Sequence, residues 1–215
     1  MCGIFGLIIH RDAAYSNVFI NKSVRILANL SESRGKDSSG IVFRNVSSRK
    51  FHVFKGALYL NSLLKNKEVR DQMECMLSSR GTKLPAVERS TFAVMGHSRL
   101  VTNGSQLNDG NNQPVVKDGV IGIHNGIIVN EEDLWSRHPA INKTYEIDTE
   151  VMLALIRNYI RAGWGVPTAI SKTVREIVGT VTAAFFLDDL EMFAMATNNG
   201  SLYVLSEERE FLAFA

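Results

Sequence analysis

Only two of the 215 residues are cysteine, Cys2 and Cys75, and they stand far apart in the chain. Two distant cysteines give neither a disulfide framework nor the paired spacing of a zinc knuckle, so a reducing compartment, the cytoplasm, is expected. Long hydrophobic runs are missing as well. No apolar stretch approaches the roughly 18 residues of a membrane-spanning helix, which excludes that setting. Charge of one sign is missing too: 24 Lys and Arg stand against 22 Asp and Glu. The densest basic clusters, such as "SSRK", are too short to track a phosphate backbone, so nucleic acid and membrane are both poor partners. Low-complexity tracts, repeats and linkers are also lacking.

What is present is an ordinary globular balance, 45% apolar and 21% charged. A chain of this length buries about 70% of the surface its unfolded form exposes, so one substantial core over residues 1–215 is the default. Helical spacing of Val18, Ile20, Val24, Leu27 and Leu30 predicts a helix over 17–30, ended by the polar loop "SESRGKDSSG". Further helices are predicted around "KEVRDQMECML", with Cys75 packed in a helix face, over 148–161, and in "PTAISKTVREIV", where Pro167 suits the first turn. Strands are predicted in "CGIFGLII", "GIVFRNV", "KFHVF" and "STFAVMGHSRLVT". Others follow in "GVIGIHNGIIV", read as broken at "NG", and in "TVTAAFFL", "MFAMATN", "SLYVLS" and "EFLAFA". Runs of strands before and after helices predict an α+β layered architecture. The longest irregular stretch, "NGSQLNDGNNQPV", is the likeliest functional loop by length alone.

Candidate chemistry begins at Cys2. A lipid-anchored cysteine needs a charged segment and roughly 7–15 apolar residues upstream, and one residue leaves no room for them. Cys2 is then either a small core residue opening a strand or a nucleophile whose own α-amine becomes free when Met1 is removed. A thiolate attacking an amide carbonyl needs donors for the oxyanion it creates. In "IHNGII", Asn125 offers a side-chain NH₂ and Gly126 an unhindered backbone N–H, although Asn-Gly is also the strongest hairpin dipeptide. Arg99 ends the "MGHSR" strand as a rigid fork suited to a carboxylate, with the Thr102 hydroxyl close behind, and could equally be a surface charge. Asp148 could answer an ammonium group, but it stands where a helix N-cap belongs. His97 and His124 have no third ligand at zinc-like spacing and read as packing or hydrogen-bonding residues.

The order of these pieces along the chain carries more than any one of them. Cys2-Gly3-Ile4, "RGKDSSG" at 34–40, "GHSRLVTNG" at 96–104, "HNGII" at 124–128 and "DTE" at 148–150 resemble the class-II glutamine amidotransferases over nearly the whole chain. The resemblance implies a four-layer α/β/β/α sandwich of the N-terminal-nucleophile hydrolase type, with no cofactor and no metal. It implies Cys2 as nucleophile, its α-amine as base, and Asn125 and Gly126 as the oxyanion hole. Arg99 and Thr102 would bind the glutamine α-carboxylate and Asp148 the α-ammonium, with Arg34 and Asp37 in the supporting framework. The stretch from Arg99 to about Gly110 would close as a lid. Leu100 and Asn103 stand where sugar-phosphate-aminating members carry Trp and His. "GHSRL" and "NQPV" look like asparagine-synthetase-type members, "RGKDSSG" and "HNGII" like sugar- and phosphoribosyl-type ones. The expected partners are glutamine and an acceptor-binding synthase domain or subunit that these 215 residues do not include. The ending "EREFLAFA" alternates like a strand and fits an isolated domain of a larger synthetase. Two alternatives stand beside this reading: an N-terminal-nucleophile amidase of another substrate class, and a non-catalytic module that keeps Met1.

Overall fold

In a computed structural model, residues 2–45, 50–80, 90–100, 104–187, 189–198 and 200–215 are described. They build two antiparallel sheets faced by helices. The first sheet contains β1 (Gly3–Ile9), β2 (Ser38–Asn45), β3 (Lys50–Gly56), β4 (Phe92–Arg99), β9 (Val204–Glu207) and β10 (Phe211–Phe214), in the order β3-β2-β4-β1-β10-β9. The second contains β5 (Val115–Lys117), β6 (Val120–Ile128), β7 (Gly179–Leu187) and β8 (Met192–Thr197), in chain order.

Strand alternation sends successive side chains to opposite faces, and each face is covered by a separate apolar core. Ile4, Val42, Met95, Ile123, Ala184 and Phe186 meet between the sheets. On the outer face of the first sheet, Phe5, Leu7, Ile41, Phe43 and Val94 pack under α1 (Asn17–Glu32), α2 (Leu60–Leu63) and α3 (Lys67–Ser78). On the outer face of the second, Val120, Val181, Ala183 and Phe185 pack under α5 (Thr149–Arg161) and α6 (Val166–Glu176). The short α4 (Glu131–Arg137) adds Leu134 to that core. Helices, sheet, sheet, helices: these are the four layers of the α/β/β/α sandwich.

Local sequence explains the helix boundaries. The Ser16 hydroxyl caps α1 by accepting from Phe19 N at 3.2 Å, and Ile20, Val24, Ala28 and Ser31 form its buried stripe. Helix α5 is buried almost all round, from Thr149 to Arg157, because α6 covers the side turned away from the sheet. Cys75 corrects its expectation. The buried face of α3 is Val69, Met73, Met76 and Leu77, and Cys75 falls off that spacing and is exposed. A second difference concerns "NG": β6 runs unbroken through Asn125 and Gly126, paired in register with Thr182 and Val181 of β7.

Antiparallel pairing sets the site. Gly3 of β1 faces Ser98 of β4, and Ser98 faces Ser39 of β2. One end of the first sheet therefore gathers Cys2 just before β1, Arg99 at the end of β4 and Asp37 just before β2.

Candidate active site

Cys2 is partly buried, and its Sγ lies 3.6 Å from the Leu100 carbonyl oxygen. Burial pushes the thiol pKa up; the Arg99 guanidinium works against this and the Asp148 carboxylate adds to it. The thiol is therefore protonated at neutral pH, and a base is needed to make it a nucleophile. Arg34 Nε donates to the Cys2 carbonyl at 3.1 Å, and Asp37 N donates to the Arg99 carbonyl at 3.0 Å. Between them Gly35 lets the loop press on β4, since a Cβ there would lie 2.5 Å from the Arg99 carbonyl carbon. Arg34 and Asp37 thus hold the backbone on either side of the thiol.

The opposite wall comes from the second sheet. A cavity of about 450 Å³ is lined by Cys2, Arg34, Leu100, Asn125, Gly126, Thr180, Thr182 and Ser201, among others. A smaller one of about 260 Å³ shares Cys2, Arg34, Asn125 and Ser201 and reaches Leu30 and Tyr203. Grooves of about 600 and 640 Å³ lie between α1 and α3 and between α6 and β8, and neither contains a cysteine or histidine. Cys2 lies on the two smaller spaces.

The Asn125 side chain opens on both Cys2 cavities and makes no hydrogen bond with any described residue, which leaves its NH₂ available to a ligand. Val181, facing Gly126 in register, turns its N–H and C=O to Asn198, at 2.8 and 3.0 Å. Only glycine fits at 126: a Cβ would lie 1.9 Å from the Thr180 oxygen and 2.5 Å from His124 Nε2. His124 sits behind the strand with Nε2 3.1 Å from the Thr180 oxygen and Nδ1 3.3 Å from Thr149 Oγ1. Burial pushes its pKa down, and that of His97, buried in the first sheet, down to about 3. Both rings are neutral, and His124 ties β6 to Thr180 and Thr149.

Arg99 and Asp148 do not line the cavity; they are buried beside it, within electrostatic reach of Cys2 and of each other. Arg99 donates to Asn112 Oδ1 at 3.3 Å and to the Gly104 carbonyl at 3.4 Å. Asp148 is not the cap its position suggested. Its backbone is helical, it makes no capping bond, and Oδ2 accepts from Ile128 N at 2.8 Å, tying α5 to the end of β6. Thr102 and Asn103 lie outside the described residues, as does the Val101 part of the expected lid.

Sequence reasoning missed the residues that brace this wall. Glu150 accepts from Lys117 Nζ at 2.6 Å and from the backbone of Thr144 and Tyr145, fixing the approach to Asp148. Asn111 accepts from Glu146 N and donates to Glu146 Oε2, both at 2.9 Å. Local sequence carries no signal for such contacts, apart from the density of amides in "NNQP".

The fold is a mixed α/β sandwich of two antiparallel sheets between helix layers, with Cys2 at one end of the first sheet. A family described as the glutamine amidotransferase domain matches residues 97–215, more than half of the chain, and the chain belongs to that family. Glutamine--fructose-6-phosphate aminotransferase [isomerizing] of Rhizobium leguminosarum bv. viciae is 27% identical over 207 residues, covering 95% of this chain and 30% of the relative. The enzyme of the same name from Xylella fastidiosa (strain Temecula1 / ATCC 700964) is 30% identical over 187 residues, covering 86% and 26%. The chain thus spans less than a third of these relatives. The structure of a glutamine phosphoribosylpyrophosphate amidotransferase from B. subtilis, complexed with ADP and GMP, superposes with a TM-score of 0.65 at 20% identity. It covers 99% of this chain and 41% of its own. An allosteric regulatory enzyme of purine biosynthesis gives a TM-score of 0.67 at 19% identity, with the same coverage.

Proposed function

We propose that this chain is the glutamine-hydrolysing part of an ammonia-transferring enzyme. The observation that carries the reading is the shared cavity, lined by a partly buried thiol and by an Asn side chain free to donate. Removal of Met1 turns the Cys2 nitrogen into an α-amine with a pKa of about 7.7–8.0, a base suited to the thiol next to it. The thiolate attacks the side-chain amide carbon of glutamine, and its carbonyl oxygen becomes an oxyanion held by Asn125 and Gly126. Collapse breaks the C–N bond, releases ammonia with the proton returned by the base, and leaves a thioester. Water then releases glutamate and restores the thiol.

Arg99, with Thr102, holds the α-carboxylate, which takes the place of the long contacts to Asn112 and Gly104. Asp148 holds the α-ammonium on the lone pairs left beside the Ile128 bond. Arg34 and Asp37 keep the two strands in place. Ammonia then passes to an acceptor-binding domain or subunit, in a cytoplasmic setting that suits two free cysteines. Incubated with glutamine, the chain is expected to produce glutamate and ammonia in equal amounts. Adding fructose 6-phosphate, phosphoribosyl pyrophosphate, or aspartate with ATP is expected to yield no aminated product. An aminated acceptor formed without a second protein would show that the acceptor site lies in this chain.

The role of Arg99 is separable by kinetics. A carboxylate remote from the reacting bond is bound alike in ground and transition states, so its loss moves KM and spares kcat. Charged hydrogen bonds of about 1.5–3 kcal/mol translate into a KM for Arg99→Ala raised about 10- to 100-fold. Arg99→Lys keeps the charge, loses the fork, and is expected to fall between. A drop in kcat at constant KM would reassign Arg99 to the framework.

A further inference from the structure

The geometry points to Gln113 as the positioning residue that holds Asn125 and Gly126 in register for the oxyanion, a step that rests on the glutaminase reading above. The β5–β6 ladder pairs Val115 with Gly122, Val116 with Ile121 and Lys117 with Val120. Continued by two residues, the same register would set Gln113 opposite His124, the residue before Asn125. Between them stands Pro114, which has no N–H to donate, so the backbone ladder stops. The Gln113 side chain replaces it. Its Oε1 accepts from His124 N at 2.5 Å, and its Nε2 donates to the His124 carbonyl at 3.0 Å, a two-point bond that mimics a backbone pair.

Gln113 is itself fixed from the other sheet. It is 4% exposed. A methyl on Gly40 of β2 would lie 2.1 Å from the Gln113 carbonyl oxygen, so the segment rests directly on that strand. Lys55 of β3 donates to the carbonyls on either side, those of Asn112 at 2.8 Å and Pro114 at 3.2 Å. The neighbouring Asn112 side chain holds Arg99. One clasp thus links the sheet that carries the nucleophile to the strand that carries the oxyanion donors. A displacement of about 1 Å at such a strand costs on the order of 10²-fold in rate, because oxyanion donors act only when aimed.

The test is a double-mutant cycle on glutaminase turnover. Gln113→Ala is expected to lower kcat about 10- to 100-fold with KM for glutamine changed less than about 3-fold. In an Asn125→Ala background the same change is expected to cost several-fold less than in wild type, because one of the two donors it positions is gone and only the Gly126 N–H remains. Gln113→Glu supplies a second readout and carries the test if the alanine variant does not fold. Its ionised carboxylate sets an oxygen against the His124 carbonyl, whereas the protonated acid donates there as the amide does. Its kcat relative to wild type is therefore expected to recover as pH falls through the carboxyl's buried, raised pKa. Equal losses in both backgrounds, a loss confined to KM, or a flat pH ratio would overturn the positioning role. If the wild-type chain with Met1 removed does not turn over glutamine, the glutaminase reading fails and this inference falls with it.

Discussion

Cys2→Ala is expected to bring glutamine hydrolysis down by on the order of 10⁶-fold, to below detection, while the sandwich stays folded. The large kinetic effect follows from covalent chemistry: without sulfur no thioester forms, and neither Asn125 nor Arg99 can supply a nucleophile. The small structural effect follows from what the thiol touches. Among the described residues its one polar contact is the long one to the Leu100 carbonyl, and Gly3, not Cys2, opens the paired strand. Losing such a contact costs about 1 kcal/mol, which for a domain of this size lowers Tm by roughly 2–4 °C. Alanine is also small enough to leave Met1 removal in place. Intact mass shows the processed terminus, circular dichroism shows the fold, and an ammonia-release assay shows the loss. Residual turnover above about 1% of wild type in fully processed protein would remove Cys2 from the nucleophile's role.

How much of this was legible beforehand differs between fold and site, for a physical reason. Helix α1 was legible because its buried stripe is written in local spacing and its cap in Ser16. The long strands were legible as apolar runs. The same logic places Cys75 outside, because it breaks the spacing of Val69, Met73 and Met76; the expectation that it packs inward gave weight to its being cysteine rather than to its position. The short β5 has three residues and no period to read. "HNGII" misled because Asn-Gly turns easily when nothing opposes it, whereas here a nine-residue pairing with β7 carries the strand straight through. Asp148 misled for a related reason. A cap is a local device, but its carboxylate answers an N–H twenty residues away on β6. The candidate nucleophile and oxyanion donors were recoverable as ordered motifs. The contacts of Gln113, Asn112, Lys55 and Glu150 were not, although three of the four stand inside "NQPV" and "DTE", since their partners are set by how the chain packs.

That meeting also explains why the fold places the candidate site at one end. Arg99 closes β4 and Cys2 precedes β1 because antiparallel neighbours put a strand's end beside its partner's start. Side chains at those positions point into the space between the sheets, where Asn125 arrives from β6. At mid-strand, the space is filled by Met95, Ile123 and Phe186; at the end it opens into the cavity. The site lies where the core stops.

Asn125→Ala is expected to lower kcat about 10²–10³-fold, the usual consequence of deleting one oxyanion donor, with KM for glutamine nearly constant. The amide has no described hydrogen-bond partner in the ligand-free chain, so removing it breaks no packing contact that would confuse the result. The donor matters only when the carbonyl oxygen becomes charged, and such an interaction lowers the barrier without tightening the ground state. Asn125→Asp sharpens the test at almost constant shape: a carboxylate facing the oxyanion repels it, so kcat should fall below that of the alanine variant at neutral pH. Gly126 is expected to supply the second donor from its backbone, and no side-chain change there is informative, because any Cβ collides with Thr180 before chemistry is reached. Steady-state glutaminase kinetics on the two Asn125 variants, with denaturation midpoints alongside, give the measurement. If Asn125→Ala moves only KM, or if both variants keep wild-type kcat, "NG" is a stretch of strand and the oxyanion is held by something else.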